Sequence, residues 1–332
     1  MQPAVILSIP GYEPLAGAIA RLLGGPPEQE GASFAQVVHR EQFPDGETYL
    51  RIDRSVQSRH VVIVGATRTA EDLLEIVSLA WQAVRDGAAK LSLVIPYFGY
   101  STMERAVRSG EVVRAKVNAT LLSSLPNPPG GKIIFLVDLH AEGIQHYFEG
   151  NASVVHLYAK AAILTQVRHI LQGDTHSLVV GSADTGRAKW VESYANELGA
   201  EIAIVTKRRH DGERTEILQV GGADVTGKTV LLYDDMIRSG GSIIKAAKAY
   251  RQAGATKIVI ACTHLVLTKN GAPQTLAHVV QCADALVATD SVGKLDALTK
   301  CPEAEGKLHC VTIAPLLAAA VKAGGRIDEN QL

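Results

Sequence analysis

VLLYDDMIRSGGSIIKAA, residues 230–247, decides how the rest of the chain is read. The segment opens as an apolar run that fits a strand buried on both faces of a parallel sheet. That run delivers two adjacent carboxylates, Asp234 and Asp235. The turn Arg238-Ser239-Gly240-Gly241-Ser242 comes next, and a helical stretch follows it. Glycines let a backbone wrap an anion closely. Freed amides at a helix N-terminus favour a phosphate there, and the two serine hydroxyls add donors. The carboxylates just upstream can accept hydrogen bonds from vicinal sugar hydroxyls. Phosphate at one end and a diol at the other describe a sugar-phosphate site. An ordinary strand-turn-helix is the plain alternative, but it has no use for two ionised groups at the end of a buried strand, where an unpaired charge is costly.

Similar apolar runs recur outward from this segment: 4–9, 61–66, 91–98, 132–139, 177–182, 201–206, 257–262 and 285–290. Amphipathic stretches such as 70–87 and 240–254 separate them. The alternation predicts an α/β fold with mainly parallel sheets and right-handed crossovers. It occurs twice, with VDLH at 137–140 answering YDDM at 233–236. Two similar α/β domains are therefore expected, joined near 148–156: residues 1–150 and residues 151–311, with a C-terminal helical stretch at 312–332 packing back on the first.

The 332 residues suit roughly two domains, and 47% hydrophobic with 20% charged residues is the profile of a soluble globular protein. A net charge of −1 gives no global attraction to nucleic acid or to an anionic membrane. Cys262, Cys282, Cys301 and Cys310 form no CxxC pair, and they read as reduced thiols of a cytoplasmic protein. No segment approaches the roughly 20 apolar residues that span a bilayer. The N-terminus lacks a basic region before its short apolar run, so it reads as a strand rather than a signal peptide.

At this point a resemblance becomes specific. The 230–247 segment resembles the phosphoribosyl-binding loop shared by type I phosphoribosyltransferases and ribose-phosphate diphosphokinases. Other segments resemble the diphosphokinases in particular. FPDGETYLRI (43–52) is similar to their nucleotide-binding loop and VIPYFGYSTMERAVRSGE (94–111) to their triphosphate region. VDLHAEGIQHYFEG (137–150) is similar to their Asp-Leu-His motif, SADTGRAKW (182–190) to their SPDxG motif, and TKRRHDGE (206–213) to their mobile catalytic loop. The matches run in order from about 38 to 320.

The resemblance implies two phosphoribosyltransferase-like domains related by pseudo-twofold symmetry, with the active site between them. It implies transfer of a diphosphate from ATP to C1 of ribose 5-phosphate, with Mg2+ as cofactor. Asp184, Asp234, Asp235, Arg238, Ser239, Gly240, Gly241 and Ser242 would bind ribose 5-phosphate. Phe43, Asp45, Gly46, Glu47, Thr102, Met103, Arg105 and His140 would bind ATP. His140, Asp184 and Asp138 would meet the metal, and Lys207 and Arg209 would be the catalytic pair. Lys207-Arg208-Arg209 could, by itself, equally be a solvated face. Diphosphoryl transfer nevertheless calls for cations on the migrating group. The Phe43–Glu47 loop would reach a neighbouring subunit's site, which implies a homo-oligomer, a dimer or a hexamer.

The chain also departs from the common class of these enzymes. Thr102 and Met103 stand where that class has Arg-Gln, and Arg238-Ser239 where it has Asp-Thr. With Glu104-Arg105 and ATDS at 288–291, these features resemble a second, plant-type class, while FPDGE is of the common type. The C-terminus lacks the Ser-Val-Ser segment of the common class's regulatory phosphate site. A chain active without added phosphate, with a broader choice of nucleotide donor, is the corresponding expectation. A non-catalytic regulatory homologue and a phosphoribosyltransferase are the rival readings.

Overall fold

The computed structural model describes residues 4–24, 38–173, 177–183, 185–209, 216–267, 271–293 and 301–326. They divide into two compact units: residues 1–159 with 291–294 and 312–332, and residues 160–290 with 295–311.

The first unit is built on a five-stranded, wholly parallel sheet. Its strands are β1 (Val5–Ser8), β4 (His60–Val64), β5 (Lys90–Ile95), β6 (Lys132–Val137) and β7 (Ala152–Leu157), adjacent in that order. Val61, Val62, Ile63 and Val64 are fully buried, as a strand covered on both faces requires. Helices α1 (Glu13–Leu22), α2 (Ala70–Arg85) and α3 (Arg114–Ser123) lie in the connections. Thr69 and Asp72 form a reciprocal capping box that starts α2, and Leu73, Ile76, Leu79, Ala80 and Ala83 give it a buried stripe. Helix α8 (Ala314–Lys322) returns from the end of the chain to pack on α1.

Residues 38–52 form an antiparallel hairpin, β2 (Val38–Gln42) and β3 (Thr48–Ile52), separate from the main sheet. Taken alone, PDG at 44–46 reads as a hairpin turn flanked by a strand, and the structure shows that hairpin with a strand on each side. Sequence reading placed the domain junction near 148–156. Residues 152–157 are instead β7, hydrogen-bonded along β6, so the first unit continues to Ala159.

The second unit carries a seven-stranded sheet in the order β10 (Glu216–Gly222), β9 (Glu201–Arg209), β8 (Leu178–Ser182), β11 (Thr229–Ile237), β12 (Lys257–Leu265), β13 (Ala285–Thr289), β14 (Leu308–Val311). All pairs are parallel except β9 with β10. Helices α4 (Lys160–Ile170), α5 (Ala188–Leu198), α6 (Gly241–Gln252) and α7 (Ala272–Gln281) complete it. From β8 the chain first moves one way, to β9, and then crosses to the other side, to β11. The strand order therefore reverses between β8 and β11. At such a switch point loops diverge and leave a crevice at the carboxyl ends of the strands, where ligands bind in open α/β sheets. The first sheet advances steadily from β4 to β7 with no reversal.

One buried group gives the first unit an acid sensitivity. His60 opens β4 with Nε2 2.9 Å from Ser92 Oγ. Burial, and then the charge of Lys90, push its pKa down from 6.5 to about 4. Below pH 6.5 the unfolded chain takes up a proton that the folded chain refuses. Stability is thus full above pH 6.5, falls as pH drops toward 4 and levels off below that. The loss should reach roughly 2–3 kcal/mol. Urea unfolding at pH 7.5 and pH 4.5 should show this component in the natural chain and not in His60→Gln. Equal pH dependence in the two proteins would assign it elsewhere.

Candidate active site

In the second unit β11 ends at the switch point. It runs two residues beyond Asp235, so both carboxylates are carried on the strand itself. Asp235 is buried, and Asp234 keeps 21% of its side chain exposed. The Asp234 Oδ1 atom accepts from the Asp235 amide at 2.9 Å. Arg187, in the connection after β8, lies against both: its Nη2 is 2.8 Å from Asp235 Oδ1 and its Nε is 3.6 Å from Asp234 Oδ1. Cys262 faces Asp234 in register on β12, and burial, then the charges of Asp234 and Asp235, push its thiol well up.

The turn after β11 has the geometry its glycines suggest. Gly240 is buried, takes φ +74° and caps α6 at its N-terminus. A Cβ there would meet Val279 Cγ2 at 2.9 Å. Arg238, Ser239, Gly241 and Ser242 are exposed around the start of the helix, and the Ser239 hydroxyl accepts from the Gly241 amide at 3.5 Å. Tyr250, one face further along α6, donates to the carbonyls of Ala203 (2.8 Å) and Ser182 (3.2 Å). It thereby ties the helix to the carboxyl end of β8. Asp184, two residues beyond Ser182, lies outside the described residues.

In the first unit the triphosphate candidates emerge at the carboxyl ends of two neighbouring parallel strands. Thr102, Met103 and Arg105 follow β5, and His140 follows β6. The loop after β5 is locked by Gly99, whose missing Cβ would strike the Thr67 carbonyl oxygen. The Gly99 amide donates to Thr67 Oγ1 at 2.9 Å. Further on, the Tyr147 hydroxyl donates to the Glu104 carbonyl. The structure so joins the 94–111 segment to the 137–150 segment. Met103 is 46% exposed, Arg105 is exposed beside Glu104 at 3.4 Å, and Thr102 and His140 are half-buried.

Asp138 turns the chain into His140 with φ +39°, a conformation aspartate tolerates better than most residues. Its carboxylate is 1% exposed and accepts from the Ala159 amide at 3.3 Å. That leaves His140 as the more accessible side chain of the two. His156, on β7, accepts from the Leu139 amide through Nε2 at 2.9 Å. It therefore braces this same turn. His156→Ala should lower turnover by about tenfold, and His156→Gln, with an amide oxygen to accept, should recover most of it. Wild-type rates in the alanine variant would show that the brace does not matter.

The Phe43–Glu47 loop is the tip of the β2–β3 hairpin. The Phe43 amide donates to the Glu47 carbonyl at 2.8 Å, the Glu47 amide to Asp45 Oδ1 at 3.0 Å, and Gly46 takes φ +94°. Phe43 is 40% exposed, with its ring 6.3 Å from that of Tyr49. Arg40 anchors the hairpin base to the Ser8 carbonyl and to Glu75.

The backbone of Lys207 and Arg209 forms the end of β9, while their side chains lie outside the described residues. β8 accompanies β9 only as far as Ile204; from there to Arg209 its partner in the sheet is β10. Lys207 and Arg209 are thus carried beyond the carboxyl end of β8, on the edge of the sheet where the 238–242 turn also emerges. Magnesium takes oxygen ligands, keeps several waters and leans on substrate phosphates. No group of three or more His, Cys, Asp and Glu among the described residues could hold a metal. Of the three residues expected to meet the metal, His140 is half-buried, Asp138 is buried and Asp184 lies outside the described residues.

Sequence reading did not assign roles to Arg187 and His156. Arg187 stands in a quoted motif, yet its partners lie 47 and 48 residues further on, and no local pattern shows the contact. His156 fell in the stretch read as a junction.

A reversed parallel sheet with an acidic pair and a glycine turn beside the reversal places the second unit in the phosphoribosyltransferase class, and residues 155–293 match the family described as "Phosphoribosyl transferase domain". Residues 4–125 match the "N-terminal domain of ribose phosphate pyrophosphokinase". The ribose-phosphate pyrophosphokinase of Chlorobaculum tepidum is 34% identical over 85% of this chain and 82% of its own. That of Rhodopirellula baltica is 34% identical over 87% of each. The crystal structure of phosphoribosylpyrophosphate synthetase from Mycobacterium smegmatis superposes with a TM-score of 0.77 at 27% identity, covering 97% of this chain and 99% of that one. The chain belongs to the ribose-phosphate pyrophosphokinase family.

Proposed function

We propose that this chain transfers the β,γ-diphosphate of ATP to the C1 hydroxyl of ribose 5-phosphate, releasing AMP. The observation that carries the reading is the acidic pair and 238–242 turn at the switch point of the second sheet. The 5-phosphate sits on the backbone and hydroxyls of the exposed residues at the start of α6, and the more exposed Asp234 accepts from the sugar diol. In the first unit, Thr102, Met103, Arg105 and His140 hold the triphosphate. The exposed Phe43 stacks on the nucleobase, with Asp45 and Glu47 as acceptors; it does so at a neighbouring subunit's site in a homo-oligomer, a dimer or hexamer. Lys207 and Arg209 neutralise charge that spreads over the migrating group as the C1 oxygen attacks in line. Magnesium, when bound through His140 and Asp184, supplies charge neutralisation on the phosphates. The four cysteines are free, which fits a cytoplasmic setting.

Retention of Asp234, Asp235, Lys207 and Arg209 weighs against a non-catalytic homologue. A phosphoribosyltransferase would have no need of the hairpin and the Asp-Leu-His turn. The test is AMP release from ATP, ribose 5-phosphate and Mg2+ in phosphate-free buffer, repeated with GTP, CTP and UTP. Absence of AMP even with added phosphate would defeat the proposal. Activation of tenfold or more by added phosphate, or strict dependence on ATP, would defeat the expectations of phosphate independence and donor breadth.

A further inference from the structure

Asp234 and Asp235 place two negative charges side by side, with Asp235 only 2% exposed. A buried carboxylate needs a counter-charge, and its absence costs several kcal/mol. Adjacent carboxylates also oppose each other's ionisation. In many proteins a divalent cation resolves both problems by bridging the pair. Here a side chain of the chain itself is in that place. The Arg187 guanidinium is 11% exposed, makes a charge-assisted hydrogen bond to Asp235 at 2.8 Å and lies 3.6 Å from Asp234.

Arg187 is also firmly held. It is the residue on which α5 begins, and Tyr194 of α5 stacks on Tyr233, the residue before the pair, with ring centroids 4.3 Å apart. Trp190 adds a second ring contact to Tyr233 at 6.2 Å. A guanidinium stays charged at every relevant pH. Asp235, buried against it, serves as its anchor. Asp234 keeps 21% of its side chain exposed, so a ligand can reach it.

We infer that Arg187 is the resident counter-ion of the acidic pair and that ribose 5-phosphate binds there without a divalent cation. The inference rests on the proposed ribose 5-phosphate site and adds that magnesium enters with the nucleotide. Arg187 is thus a positioning residue: it balances the charge of the pair and sets Asp234 for the diol.

Calorimetry of the full chain with ribose 5-phosphate, in EDTA and in Mg2+, tests this. The natural chain should bind with Kd values within about threefold of each other. Arg187→Met should lose about tenfold or more of its affinity in EDTA and regain most of it in Mg2+, which can replace the missing cation. Arg187→Lys, with a cation but no fork, should fall between. The EDTA and Mg2+ arms on the natural chain decide the matter even if a variant folds poorly. Mg2+-dependent ribose 5-phosphate binding by a natural chain that still forms AMP would overturn this inference alone. So would natural affinity in EDTA for a folded Arg187→Met. Absence of both binding and AMP formation would overturn the underlying site as well.

Discussion

Lys207→Ala should lower turnover by roughly two to four powers of ten, the scale of losing one preorganised charge on a transition state. The structure gives the sequence motif a setting for this. β9 outruns β8 at Ile204 and continues to Arg209 beside β10, with Lys207 opposite Leu218 and Arg209 opposite Glu216. Two strands without further neighbours are marginally stable in water, which suits an arm that closes over reactants and reopens. A cation on such an arm acts when the arm is closed, so affinity for ribose 5-phosphate in the resting enzyme should change little. Rates of AMP release and calorimetry with ribose 5-phosphate would be measured together. Turnover near the natural value would remove Lys207 from the chemistry. A matching loss of sugar affinity would move its role to ground-state binding.

The second large effect concerns the turn after β11. Gly241→Val should fold normally, because a Cβ at Gly241 meets nothing nearer than Ser239 Oγ at 3.7 Å. Its isopropyl group would nevertheless stand in the exposed turn to which the proposed function assigns the 5-phosphate. Affinity for ribose 5-phosphate should fall by about tenfold or more, comparable to losing one hydrogen bond to a charged group. Asp234→Ala should cause a similar loss by removing the diol acceptor. Gly240 offers the contrast. With φ +74° and Val279 at 2.9 Å from any Cβ, Gly240→Val should destabilise the fold by about 1–3 kcal/mol or more. Unchanged ribose 5-phosphate affinity in a folded Gly241→Val would put the phosphate elsewhere.

The element pattern was legible where local physics writes it plainly. Strands β4, β6, β11 and β12 are apolar without alternation because both faces are buried, and α2 announces itself by a cap and a stripe. The short strands β7 and β14 were not, because they are partly exposed; of the hairpin the sequence showed the PDG turn and a flanking strand but not its anchorage through Arg40 on Ser8 and Glu75, residues distant in sequence.

By itself the sequence determined the α/β class, the family and the residue types of the candidate site, since glycine, acidic and basic side chains occur at fixed offsets within single loops. Only the tertiary structure decided how those loops are used. Strand order put the reversal between β8 and β11, and hydrogen bonding ended β8 short of β9. Packing buried Asp138 and Asp235 while leaving Asp234 partly open, set His156 beneath the turn before His140, and brought Arg187 to the acidic pair. These are contacts between residues from 17 to 48 positions apart. They arise from strand register and side-chain burial, which no local spacing encodes.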